Sequence, residues 1–354
     1  MKRQLNYEIL RIIAMILILF HHAMLYLPSD ITAQLPSVAV DILSSGGKYG
    51  VILFILITGY FECNKEFKIT KIFKLVGQTL FYSYLFLVLA IIINKQLDLN
   101  TIIRSLLPIT FNQYWFITTY VILYLLIPFL NKLINTLSKK EFIKLILILS
   151  LFITILPSFA LASFSIGSLG TFIYIYLIGS YLNKYSKFYL KNKNKFLVLS
   201  ITLYIISIIV HILAKKYIGF YNGIFFSVNS FFFLGSAISL FQYFKKANIS
   251  ENFRKTIVFF SQTTFGVYLI HENIFGREII WNDLFSLFYN NVNMHLLVLI
   301  ILYVIIIYIS FSIFDKIYIV LLKKHIEKLC ISMYSLIDKL KKVCEGVIIK
   351  WKHI

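Results

Sequence analysis

The sequence predicts an all-α integral membrane protein of about ten transmembrane helices with both termini in the cytoplasm, and three observations carry that expectation. The 354 residues are 59% apolar and only 14% charged, against roughly 25% charged in soluble domains; mean hydropathy is +0.83. Apolar runs long enough to cross a bilayer recur with short polar breaks, leaving no room for a separate soluble domain. The lysines and arginines crowd into alternate breaks, which is the positive-inside pattern.

In chain order the spans read as residues 9–27, 46–62, 75–94, 114–134, 143–163, 170–184, 196–214, 222–243, 257–275 and 296–320. The first, LRIIAMILILFHHAML, is too long for a cleaved signal and is followed by no small-residue cleavage site. Spans two, six and nine are short or carry several polar residues. Lys-rich connections run over Asn64–Lys74, Asn131–Lys144, Asn183–Lys195 and Lys245–Lys255. The alternate ones, Pro28–Ser45, Lys95–Gln113, Ser158–Leu169 and Gly276–Met294, carry few positive charges; only Lys215 and Lys216 break the alternation. Residues 1–320 thus form the transmembrane domain. Residues 321–354 mix apolar residues with Lys at helical spacing and end beside Trp351, as a basic amphipathic cytoplasmic tail lying on the inner leaflet would.

A net charge of +20 would suggest nucleic acid for a soluble chain; here it reports topology. Cys63, Cys330 and Cys344 lack metal-ligand spacing and all map to the cytoplasmic side, supporting neither a zinc site nor a disulfide. There is no HExxH, P-loop, Gly-rich nucleotide fingerprint or GxSxG, so hydrolase, ATPase and Rossmann readings have no residues to stand on.

The chemistry-bearing residues are those that a bilayer penalises. Arg11 and His22 sit inside the first span, where an ionisable group costs about 2.5–3.5 kcal/mol on insertion scales. Eleven residues at roughly 100° each bring His22 within about 20° of Arg11, about 16 Å further along the axis. Glu8 falls on the same stripe and is suited to orient Arg11, whereas His21 points about 100° away. In span nine, TIVFFSQTTFGVYLIHENIF, Thr264, Tyr268 and His271 share one face, and a span this polar must look inward. His271 and His22 lie toward the outer ends of their helices, so both can face one pocket; helix–helix hydrogen bonding is the alternative for His271. In span two, Gly50, Thr58 and Gly59 permit close backbone approach. The loop after it carries Lys65, Lys68, Lys71 and Lys74, either a solvated positive-inside loop or a basic mouth for an anionic donor. Trp115 opens span four at the outer interface, as a belt residue or a stacking face for a sugar.

Taken together these segments resemble the acyltransferase 3 family of bacterial membrane O-acyltransferases. Arg11 and His22 match its Arg-x10-His. GVILFILITGYF matches its second-span block, and YWFITTYVILYLLIPFL, FIYIYLIGSYL and TFGVYLIH match spans four, six and nine, all in family order over roughly residues 7–275. Thr58 stands where Ser is usual and keeps the hydroxyl. Lys71 and Lys74 stand where many members show Arg-x-x-Arg, which keeps point-charge attraction but not bidentate phosphate contacts. The resemblance implies a bacterial cytoplasmic-membrane enzyme. It would transfer an acyl group, commonly acetyl from acetyl-CoA, to a hydroxyl of a surface polysaccharide or lipid-linked sugar, without a metal. Histidine suits removal of a hydroxyl proton, with an unperturbed pKa near 6.5. His22 is then the general base. Arg11, Lys71 and Lys74 meet the phosphates of CoA, and Glu8, Thr58, Trp115, Tyr268 and His271 support or hold substrate. The competing class is a polysaccharide or small-molecule exporter; against it, no pair of Gly/Pro-broken spans occupies matching halves.

Overall fold

In a computed structural model, residues 3–159, 166–185, 192–217, 224–292, 294–332 and 335 are described, and among them the chain is helical with no strand. Ten long helices follow one another: α1 Leu5–Tyr26, α2 Ser37–Glu62, α3 Ile69–Ile92, α4 Trp115–Thr136, α5 Lys139–Ser158, α6 Gly167–Lys184, α7 Asn194–Tyr217, α8 Phe231–Lys246, α9 Arg254–His271 and α10 Leu296–Leu321. Each carries most of one span read from the sequence. Seven of them (α1 to α5, α7 and α10) are long and apolar enough to cross a membrane. The other three fall short for physical reasons. α8 has 16 residues, and α6 and α9 have 18 each, with α9 carrying Ser261, Thr263, Thr264 and His271.

Proline sets the first boundaries. Leu27 stands before Pro28 with φ −63° and ψ 149°, outside the α region that a following proline disfavours, and α1 stops at Tyr26. Pro36 precedes α2, which therefore starts at Ser37 rather than 46; residues 37–45 are helix, not loop. The connection between α3 and α4 contains a helix, Leu99–Leu106, capped by the Asp98 side chain on Thr101 N–H. α5 starts at a reciprocal cap in which Ser138 and Glu141 satisfy each other's backbone N–H. Of the tail, residues 323–332 are helical; beyond residue 332 only Ser335 is described, and Cys344 and Trp351 lie outside the described residues. Cys63 and Cys330 are free thiols.

Close packing around α2 holds the centre together. A Cβ at Gly50 would lie 2.5 Å from the Ala14 carbonyl oxygen of α1, so only glycine allows that approach. At the other end of α2, Gly59 lies against the backbone of Tyr176 in α6, and a Cβ at Gly179 of α6 would come within 2.5 Å of Leu56 O of α2. α1 also packs on α9, and α9 on α10. α1, α2, α4 and α9 thereby surround one internal space.

Candidate active site

That space is a cavity of about 770 Å³ that runs the length of α1. Its wall includes Glu8 and Arg11 near the start of the helix and His22 and Tyr26 near its end, so the stripe read from the sequence is the cavity face. Thr58 of α2, Trp115 of α4 and Tyr268 of α9 line it too.

At the Arg11 end the polar groups meet as ion pairs. Glu8 Oε1 lies 2.5 Å from Arg11 Nη1, and its other oxygen lies 3.1 Å from Arg3 Nη1. Glu8 is buried while Arg11 is partly exposed, so the carboxylate holds the guanidinium at the wall with other N–H groups free for a ligand. Glu62 and Lys65, at the end of α2, close this end. Lys71 and Lys74 do not line the cavity: Lys71 pairs with Glu62 at 2.5 Å and Lys74 with Glu327 at 2.9 Å.

The His22 end is a buried hydrogen-bond chain. His271 Nδ1 lies 2.6 Å from the Val267 carbonyl oxygen, one turn back in α9. A carbonyl only accepts, so in the neutral ring Nδ1 carries the proton and Nε2 is the acceptor. Nε2 lies 2.8 Å from His22 Nδ1; His22 therefore donates from Nδ1, and its Nε2 keeps a lone pair. No described residue bonds to that nitrogen, and His22 lines the cavity whereas His271 stands behind it. Glu272 Oε2 is 3.4 Å from the same His22 Nδ1. Glu272 is itself ion-paired with Arg277 and accepts from Tyr26 OH at 3.2 and 3.3 Å.

Local structure explains why Glu272 points there. α9 ends at His271, and Asn273 caps the next short helix, Ile274–Glu278, accepting from Phe275 N–H and Gly276 N–H at 2.9 and 3.2 Å. The Asn273 amide also donates to Tyr114 OH at 2.8 Å, pinning the turn that carries Glu272. On α1, His21 also reaches the cavity wall, but its ring is held by α2: its Nδ1 meets Ser44 O at 2.6 Å and the ring packs on Gly47.

Three groups of the His22 end went unread in the sequence: Glu272, Arg277 and Lys48. Glu272 follows His271 directly, and a carboxylate beside a histidine in a polar span was the available signal. Lys48 stands in α2 and lines the cavity. Its ammonium sits 4.0 Å from the Trp115 ring centroid, with no carboxylate at ion-pair distance among the described residues. Trp115 therefore offers that face to a cation. The Tyr268 hydroxyl is buried without a hydrogen-bond partner among the described residues. Thr58 donates to Phe54 O at 2.9 Å and meets Tyr120 OH at 3.2 Å.

His22 Nδ1, His271 Nε2 and a Glu272 oxygen lie within 4.8 Å of one another, a set with the donor types of a metal site. The 2.8 Å separation of the two nitrogens is a hydrogen bond, shorter than the about 3.3 Å left between two ligands on a tetrahedral zinc.

Fold and cavity together define a multi-pass membrane protein with a histidine-lined interior site. The family model described as an acyltransferase domain matches residues 4–315, and the chain belongs to that family, acyltransferase 3: it is a membrane acyltransferase. No curated protein and no solved structure matches it.

Proposed function

We propose that the protein is an O-acyltransferase of a bacterial cytoplasmic membrane. It moves an acyl group, acetyl in the first instance, from cytoplasmic acyl-CoA to a hydroxyl of a surface polysaccharide or lipid-linked sugar. In this reading all ten long helices cross the membrane with both termini inside. The Arg11 end of the cavity then opens to the cytoplasm and the His22 end faces outward.

One observation supports the reading above the others. The Val267–His271–His22 chain leaves His22 Nε2 as an unprotonated acceptor at the cavity wall. The acceptor hydroxyl gives its proton to this nitrogen as its oxygen bonds to the thioester carbonyl carbon. The carbonyl electron pair moves onto oxygen, and the Lys48 ammonium at the cavity wall is the donor available to that charge. The intermediate collapses, the C–S bond breaks, and the imidazolium returns the proton to the departing thiolate. While His22 is charged, the Glu272 carboxylate beside Nδ1 offsets that charge. Arg11 meets the pyrophosphate of the donor, and the cavity between the two ends receives the pantetheine arm.

The test is the mass of surface glycan from cells with and without the protein. An acetyl or other acyl increment that appears only with the protein supports the reading. Identical glycans, with export of the polymer lost instead, would replace it by the exporter.

A further inference from the structure

A second cleft, of about 380 Å³, lies beside the Arg11 end and is walled by Arg3, Arg254, Lys255, Phe259, Gln262 and Lys316. Three helix ends build it: the segment leading into α1, the first turns of α9 and the last turns of α10. Arg3 and Gln262 line both the cleft and the large cavity, so the two spaces share a wall.

Four cations line the cleft and no carboxylate does. Two of the four are engaged. Arg254 is ion-paired with Glu251 and donates to the Arg3 carbonyl at 3.1 Å, and Arg3 reaches Glu8. Lys255 and Lys316 have no carboxylate at ion-pair distance among the described residues. Asp315, next to Lys316, is turned away: it is fully buried and accepts from Gln78 Nε2 and Tyr82 OH, both at 2.8 Å. The surplus positive charge stands beside an aromatic ring, Phe259, and a side-chain amide, Gln262. Free ammonium groups, a stacking face and an amide make the donor set for a phosphorylated purine nucleoside. The volume falls within the roughly 300–1,000 Å³ of small-molecule sites.

We propose that this cleft binds the 3′-phosphoadenosine end of coenzyme A, with Lys255 and Lys316 on its phosphate and Phe259 against the adenine. The inference rests on the acyl-CoA reading above and deepens it. The nucleotide sits outside the cavity, the pyrophosphate passes Arg11, and only the pantetheine arm enters. Lys71 and Lys74, held by Glu62 and Glu327, take no part.

The experiment uses the full chain in phosphatidylcholine nanodiscs, with adenosine 3′,5′-bisphosphate, CoA and acetyl-pantetheine as separate probes. Adenosine bisphosphate and CoA should each raise the melting temperature by mass action, less so at high salt. Lys255→Gln with Lys316→Gln should weaken both by about tenfold or more, as expected for lost charge-assisted contacts. The same double variant should leave acetyl-pantetheine binding unchanged, and Lys255→Arg with Lys316→Arg should restore the bisphosphate. Lys71→Gln with Lys74→Gln should change nothing. A loss in the Lys71/Lys74 pair with none in the Lys255/Lys316 pair would overturn the assignment. So would lysine-dependent binding of phosphatidylglycerol, added to the nanodiscs in a parallel set, with no binding of the bisphosphate, which would make the cleft a lipid site. If the unmutated protein binds acetyl-pantetheine but not the bisphosphate, only this inference fails. If it binds none of the three, the acyl-CoA reading fails with it.

Discussion

At the Arg11 end of the cavity, opposite charges meet in pairs with one partner reaching solvent: Arg11 is partly exposed over a buried Glu8, and Lys65 and Lys71 share Glu62. At the His22 end the groups are buried, and they are ordered by which atom must donate: His271 Nδ1 to Val267 O, and His22 Nδ1 to His271 Nε2. The first arrangement supplies charge, which attracts anions over a distance and is weakened by salt. The second supplies a proton position, which salt does not move. An acyl transfer needs both, and the two kinds of order lie at opposite ends of one space.

The two ends should differ most in the effect of losing His22. Exchange to alanine should lower acyl transfer by about 10²–10⁴-fold, the usual loss for a positioned base, while acetyl-CoA still stabilises the purified protein. Transfer that survives in His22→Ala would remove the base from the His22 end.

His271 sharpens the point, because its proposed role is to accept a hydrogen bond. His271→Leu leaves the His22 N–H with only Glu272 nearby, at 3.4 Å, and should cost about tenfold to a hundredfold in rate, the scale of a lost buried hydrogen bond to a group that becomes charged. His271→Gln restores an acceptor and should recover part of that loss. Equal activities in the two variants would mean that His271 only fills space.

Next in size is Arg11→Ala, which should weaken acetyl-CoA binding by about tenfold, as loss of one charged contact does, with less effect on turnover at saturation. Added salt should weaken donor binding in the unmutated protein too and leave the rate at saturation nearly unchanged. An Arg11→Ala protein with full affinity would make the residue structural. His21→Ala should have the smallest effect, within a few-fold in rate, since its ring meets Ser44 O and Gly47 rather than the relay. Inactivation of a well-folded His21→Ala protein would reverse the assignment of the two histidines. Reporter fusions test the proposed orientation of the cavity, with the Arg11 end inside: Ser138 and Asn248 should read cytoplasmic and Asp283 external.

The helical segments were legible as apolar runs, seven of them long enough to cross a membrane, and the α1 stripe because helical spacing fixes which residues share a face. Glu8, Arg11 and His22 do line one cavity. The meeting of His22 with His271 was suggested by their matching depth. That they bond directly depends on how α1 packs on α9, which no periodicity contains. Glu272 escaped notice because it lies just past the end of α9, in the turn held by the Asn273 cap, rather than on the helix face that the spacing describes. Lys48 reads in sequence as one lysine among glycines; only the approach of α4 puts Trp115 beneath it. The Lys71/Lys74 loop shows the converse limit. Its charge is plain in the sequence, but the pairing of Lys74 with Glu327, near the far end of the chain, is not.

The tautomers of His22 and His271 can be observed without knowing the acceptor. Nitrogen NMR of ¹⁵N-histidine-labelled protein in nanodiscs, with His22 and His271 assigned from their Gln variants, reads which ring nitrogens carry protons. His271 is expected to be protonated at Nδ1 and bare at Nε2, and His22 protonated at Nδ1 with Nε2 bare toward the cavity. A His22 ring protonated at Nε2 and bare at Nδ1 would contradict this assignment, because the nitrogen facing the substrate would then be a donor and not a base.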